Sequence, residues 1–309
     1  MATIDRPWLG ALLPAVCLAS GNLFAIELDL EQIADGVHVH QGVHEDVNAD
    51  NHGDIANIGF IIGRDCVAII DSGGSPAVGK ALRAEVHALT DTPICYVINT
   101  HVHPDHVFGN VAFVGEDVQF VGHHRLGAQL AARGEYYLDA MTRMLDEPLS
   151  EDVIVGPDIA VEDSLTLDLG DRLLRLEAMP EAHTDTDLII MDQATETLWL
   201  GDLLFVDRIP SMDGSLLGWL AVMDRLRDMP AARVVAGHGP VSLDWPDAAD
   251  DQQYYLEMLR DQTRQVIEAG ATIEQALQYV GRDERDAWLL FEEYHEGNVQ
   301  SAFAELEWE

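Results

Sequence analysis

Apolar and polar residues follow two periods along this chain. Short runs rich in Val, Ile and Leu recur at residues 58–62, 94–99, 118–121, 188–191 and 197–202, bounded by Gly, Asp, Asn and Pro. Runs of this length and composition read as buried strands. Val37-His38-Val39-His40 alternates and reads as a strand with one face covered. Residues 153–177 read as β-structure turning at Gly170-Asp171. Helical spacing takes over elsewhere. Ser75-Pro76 is a cap followed by proline at the first helical position, so a helix is expected to about Leu89, ended by Asp91-Thr92-Pro93. The strand at 94–99 then makes a strand–helix–strand unit, whose strands should be parallel neighbours. A helical stretch opens at His123-His124 and runs to about Leu145. After Trp245 the pattern turns helical again, with Pro246 as first residue and apolar stripes through Tyr255, Leu259, Val266 and Leu277.

The polar residues between these runs are unevenly distributed. Directly after the strand at 94–99 comes Thr100-His101-Val102-His103-Pro104-Asp105-His106, three imidazoles and a carboxylate within six residues. Pro104 predicts a loop here. His101 and His103, two apart in an extended segment, point the same way and can grip one ion. Asp105 and His106 lie just beyond and can grip a second. Imidazole and carboxylate suit zinc, iron and manganese. Three more candidates each follow an apolar run: His183 in AHTDTD, Asp202 in LGD, and His238 in GHGP.

HVHPDH, AHTDTD, LGD and GHGP, in that order, resemble the metallo-β-lactamase superfamily. The resemblance implies an α/β fold, a four-layer αββα sandwich, here with a helical C-terminal extension. It implies two Zn(II) ions, with iron or manganese as alternatives. His101, His103 and His183 would hold the first, and Asp105, His106 and His238 the second. Asp202 would bridge them beside a shared hydroxide, and Asp71 would support the ligand loop from behind. Asp105 and Asp202 are the carboxylates expected to share in catalysis. THVHPDHVFGN, GDLLFVDRIPSMDGSLLGWL and NVQSAFAELEWE are further similar to the quinoprotein relay system zinc metallohydrolase branch, related to sulfur-oxidation hydrolases. The expected activity is hydrolysis of a carbonyl ester, thioester, lactone or lactam, on a small-molecule substrate. Two alternatives stay open: a mononuclear iron persulfide dioxygenase, and a non-catalytic partner of a periplasmic quinoprotein dehydrogenase. No Gly-x-Ser-x-Gly elbow offers a serine nucleophile.

Composition narrows the picture. Asp and Glu number 55 against 17 Lys and Arg, a formal charge of −38, and Lys80 is the sole lysine. Such a surface repels nucleic acid and anionic membranes. It fits a high-salt habitat, where screening relieves self-repulsion and the melting temperature should rise from low to molar salt, or equally an ordinary acidic secreted protein. Residues 8–18 form an apolar run of signal-peptide length, followed by small residues, so residues 1–25 are read as a leader and the protein as periplasmic or secreted. Cys17 leaves a lipoprotein alternative. No other stretch is long and apolar enough to span a membrane. Residues 26–245 are read as the catalytic domain and 246–309 as a helical extension packed on it. Cys66 and Cys95 are expected as two buried thiols, a disulfide remaining open. His52, in a turn-rich loop, and Arg208, after LGD, are candidate substrate contacts. His38, His40, His123 and His124 are read as structural.

Overall fold

The structure, a computed structural model, describes residues 26–115 and 117–309, so the leader reading lies outside the described residues. β1 (Leu30–Ala34), β2 (Val37–His40), β3 (Ile58–Ile62), β4 (Val67–Ile70), β5 (Ile94–Ile98), β6 (Gln119–His123) and β7 (Ile159–Val161) form a seven-stranded sheet in that order. Its first strands are antiparallel, and β4 to β7 run parallel. β8 (Ser164–Asp168), β9 (Leu173–Ala178), β10 (Leu188–Asp192), β11 (Thr197–Phe205) and β12 (Arg233–His238) form a five-stranded sheet in the order β12-β11-β10-β9-β8. The helices are α1 (Pro76–Leu89), α2 (Pro104–Val107), α3 (Leu126–Leu145), α4 (Leu216–Arg227), α5 (Asp250–Glu268), α6 (Ile273–Tyr279) and α7 (Phe291–Leu306).

Alternation along the strands explains the layering. Ala68 and Ile70 of β4 join Leu174, Leu176, Leu188, Ile190 and Trp199 in the core between the sheets. Val67 and Ile69, one residue out of phase, face the other way and pack on Val78, Leu82 and Val86 of α1. Leu198 and Leu200 of β11 likewise turn from the inter-sheet core to meet Trp219 and Met223 of α4 and Tyr255 of α5. Strands covered on both faces need continuous apolar runs. The result is helix, sheet, sheet, helix, the four-layer α/β arrangement expected. Val299 and Leu306 of α7 belong to the same cluster as the second sheet.

The local signals held at α1. The Ser75 hydroxyl accepts a hydrogen bond from Val78 N, and Pro76 takes the first helical position. Pro104 did not behave as expected: it opens the one-turn helix α2. Proline needs no N–H partner at a first helical position, and it restricts only the residue before it, His103, which is extended at φ −68°, ψ 145°. Pro246 precedes a short 3-10 turn, and α5 proper begins at Asp250. His123 ends β6 instead of opening α3. Cys66 and Cys95 form a disulfide, not two free thiols. Parallel pairing of β4 with β5 brings their Cα atoms to 5.7 Å, within bridging reach. No helix among the described residues is long and apolar enough to cross a membrane.

Candidate metal centre

Strand ends deliver the candidate ligands to one rim. β4 ends just before Asp71, β5 leads into His101 and His103, and α2 carries Asp105 and His106. His183 lies in the turn before β10, Asp202 within β11, and His238 ends β12. Two backbone hydrogen bonds stitch the sheets together there. Leu188 N donates to Thr100 O at 2.8 Å, and Asn57 N donates to Gly237 O at 2.7 Å.

The seven residues form two groups: His101, His103, His183 and Asp202, and Asp105, His106 and His238. Within each, one potential ligand atom per residue lies within 4.8 Å of all the others. Asp202 touches both. Its Oδ2 is 3.7 Å from His101 Nε2, 3.5 Å from His183 Nε2 and 3.3 Å from His238 Nε2, while Oδ1 is 3.1 Å from His106 Nε2. Room for this carboxylate comes from Gly237, where a Cβ would fall 2.0 Å from Asp202 Oδ1. Gly201 beside it has φ +52°, and its missing Cβ would strike Thr100.

Outer contacts fix which ring nitrogen is free. Asp71 accepts from Thr100 N at 2.8 Å, Thr100 Oγ1 at 2.7 Å and His106 Nδ1 at 2.8 Å. It holds this post at φ 53°, a left-handed conformation that costs a non-glycine residue of order 1 kcal/mol and that these bonds offset. Since Thr100 Oγ1 gives its proton to Asp71, it accepts from His101 Nδ1 at 3.0 Å, and His101 Nε2 is left as a bare lone pair. His103 Nε2 donates to Asp213 Oδ2 at 3.1 Å, so its Nδ1 is bare as well. Arg133 also bonds Asp213. His238 Nδ1 donates to Ile55 O at 2.7 Å.

These assignments test whether the residues fit a metal. His101 Nε2 and His183 Nε2 each lie 3.1 Å from His103 Nδ1. The bare nitrogens of His101 and His103 repel at that distance, and a cation at their focus satisfies them. His106 Nε2 and Asp202 Oδ1 are buried without a hydrogen bond. Charge agrees. Burial disfavours an ionised His106, yet Asp202, Asp105 and Asp71 outweigh it and hold its pKa well above the ordinary value. The carboxylates thus favour positive charge at this spot, which the ring carries as a proton and which a bound cation would displace. Burial alone would raise Asp105 and Asp202, but His106 and His238 pull both well below the carboxylate range. Burial drives His101 well down and His183 to about 3, as neutral ligands require. The donor set fits divalent ions at both groups.

A cleft of about 670 Å³ opens over His103, Asp105, Asp202 and His238. Arg208 lines it, 3% exposed, with Nη1 3.1 Å from His238 Nδ1 and Nη2 donating to Tyr294 OH at 2.8 Å. Its Nε is buried without a partner. Arg208 is therefore no surface ion pair. Tyr294, from α7, donates onward to Asp46 Oδ1 at 2.5 Å. His52 does not reach this cleft. It sits in a separate depression with Asn51, Asp54 and Val43, because its loop folds back on itself through Asn48 and Asn51. Asp213 and Tyr294 escaped the sequence reading as individual residues, although both lie in or near segments that carried the finer resemblance.

A family model described as the metallo-beta-lactamase superfamily matches residues 53–238. A linear primary-alkylsulfatase of Pseudomonas sp. (strain ATCC 19151) is 33% identical over 89 residues, 29% of this chain and 15% of that protein. Among solved structures, the inverting sec-alkylsulfatase Pisa1 of Pseudomonas sp. superposes with a TM-score of 0.69 at 15% identity, covering 90% of this chain and 50% of the other. A metallo-beta-lactamase from Pontibacter korlensis gives 0.61 at 18% identity, covering 75% of this chain and 99% of the other. The chain thus spans a small part of the curated alkylsulfatase and half of Pisa1, while the structural likenesses carry the fold alone. The family match takes in more than half of the chain and six of the seven clustered side chains lie inside it with His238 at its end, so this protein belongs to the metallo-beta-lactamase superfamily.

Proposed function

We propose that this chain is an exported hydrolase working with two divalent ions, zinc first among them, on a carbonyl ester, thioester, lactone or lactam. The observation that carries the reading is Asp202, whose two oxygens lie within 3.7 Å of ligand nitrogens from both groups. His101, His103 and His183 would hold one ion, Asp105, His106 and His238 the other, and Asp202 both. When bound, such a pair supplies a nucleophile from water near neutral pH and polarises the bond under attack. The chain's own residues do the rest. Asp105 and Asp202 stay ionised, and Asp202 sits where a proton can be passed between attacking and leaving groups. Arg208 brings a buried positive charge to the cleft, suited to an anionic group of the substrate. Asp71 and Asp213 hold the rings of His106 and His103 in place.

The leader-like N-terminus and the Cys66–Cys95 disulfide support a periplasmic or secreted setting. A place beside a periplasmic quinoprotein dehydrogenase system is part of this proposal and rests on the finer sequence resemblance alone. A sulfate ester is a second substrate reading, favoured by the alkylsulfatase relative and by Arg208. An iron persulfide dioxygenase needs one metal set, and here a second group, Asp105, His106 and His238, gathers beside the first. Elemental analysis beside an ester, thioester, lactone, lactam and alkyl sulfate panel tests the proposal. Two ions per chain with turnover of a carbonyl substrate is expected. One iron per chain with persulfide turnover would overturn it, and a metal-loaded protein inert on the whole panel would revive the non-catalytic reading.

A further inference from the structure

Helix α3 carries three kinds of stripe. Leu130, Gly134, Tyr137, Met141 and Leu145 are buried and pack with Val102, Val107 and Phe108 of the ligand loop. Glu135, Asp139 and Arg143 are charged and exposed, as a solvated face should be. Between them run Tyr136, Ala140 and Met144, at i, i+4 and i+8, one above another on the helix. This third stripe is apolar yet uncovered: Tyr136 is 69% exposed and Met144 42%. Neither serves the core, and among the described residues none covers them.

The stripe faces the cleft. Tyr136, Ala140 and Met144 line the same cavity as His103, Asp105, Asp202 and His238, with Val47 extending the apolar side. Arg208, Ser211, Glu293 and Tyr294 line the same cavity and supply polar groups to it. A cleft of about 670 Å³ lined by both apolar and polar side chains takes a small molecule, not a protein segment. We infer that α3 is the binding wall for the apolar arm of the substrate: an unbranched alkyl or acyl chain lies along Tyr136, Ala140 and Met144, while its reactive end reaches the metal ligands and its polar groups face Arg208. This inference rests on the hydrolase reading and narrows its substrate to long-chain acyl esters and thioesters.

Chain length is the readout. With zinc-loaded full-length protein and p-nitrophenyl esters from acetate to decanoate, kcat/KM should climb with each added methylene. The ceiling is about fourfold per methylene, the ratio equivalent to ~0.8 kcal/mol per buried CH2. Tyr136→Glu and Met144→Glu change exposed positions, so folding should survive, and both should flatten the climb. Asp139→Asn, on the charged stripe, should leave the slope as it is. Binding of free fatty acids from hexanoate to decanoate, followed by calorimetry, gives the same information without turnover: affinity should tighten with length and lose that dependence in the two glutamate variants. Hydrolysis of acetate and decanoate esters at equal efficiency would overturn the inference and spare the hydrolase. If no p-nitrophenyl ester is cleaved, the fatty-acid binding decides the wall by itself, length-independent binding overturning it, while the hydrolase reading is judged on the wider substrate panel. Self-association that the glutamate variants abolish would give the stripe to a second copy of the chain and also overturn the inference.

Discussion

Single side chains decide this site, and the most instructive are those that touch no ligand position. Asp213 accepts from His103 and is held in turn by Arg133, and these contacts keep the Asp213 carboxyl at about 2 against the pull of burial. Outer partners of metal-binding histidines typically govern affinity by about 10–100-fold. Asp213→Asn should therefore weaken metal binding by that order in chelator competition, while circular dichroism stays native. His40 shows the limits of reading residues in isolation. Strand alternation reads it as structural but does not reveal its acid: Asp54, fourteen positions on, sits 2.9 Å from Nε2. Burial opposes charging His40, yet Asp54 and the Asp29 carbonyl outweigh it and raise the pKa above 6.5. A raised folded pKa stabilises the protonated fold. The contribution is complete below 6.5 and fades as pH rises through the folded value. The stability gap between wild type and His40→Gln in urea melts should be larger at pH 5.5 than at pH 8.5. A gap that grew with pH would contradict this assignment.

Among the elements, α7 reaches furthest beyond its own packing. Tyr294 meets Arg208. Asn298 accepts from Met212 N at 3.0 Å and donates to Pro210 O at 2.6 Å. Glu305 accepts from Ser215 Oγ at 2.6 Å and Leu216 N at 2.7 Å, capping α4 with a carboxylate. The segment so pinned carries Arg208 to His238 and Asp213 to His103. Glu305→Ala removes a charged cap and should cost about 0.5–2 kcal/mol in denaturant melts. It should also loosen metal binding through Asp213, which Glu305→Gln restores in part. Sequence patterning made the existence of a C-terminal helix plain, but not which loop it grips, because no local signal links Glu305 to Ser215 across 90 positions. Element type was legible wherever caps or runs were strong, as at Ser75-Pro76. Boundaries slipped where proline acted as a start signal, as at Pro104.

For the molecule as a whole, the fold and the shared site were expected from the resemblance that HVHPDH, AHTDTD, LGD and GHGP carry in that order, not from the spacing of the residues alone. The sheet order β12-β11-β10-β9-β8 and the cleft walls were beyond reach, since they depend on pairings distant in sequence. The two sheets meet along a line closed by the Leu188–Thr100 and Asn57–Gly237 hydrogen bonds, and the clustered ligands straddle that line. Metal ions bound there would rivet together halves that this edge joins through a few main-chain contacts. Stripping the metals with a chelator should lower the melting point. Backbone amides of Leu188 and Asn57 should then exchange with deuterium faster, while those deep in α1 barely change, so that the protein loosens from its chemical edge inward.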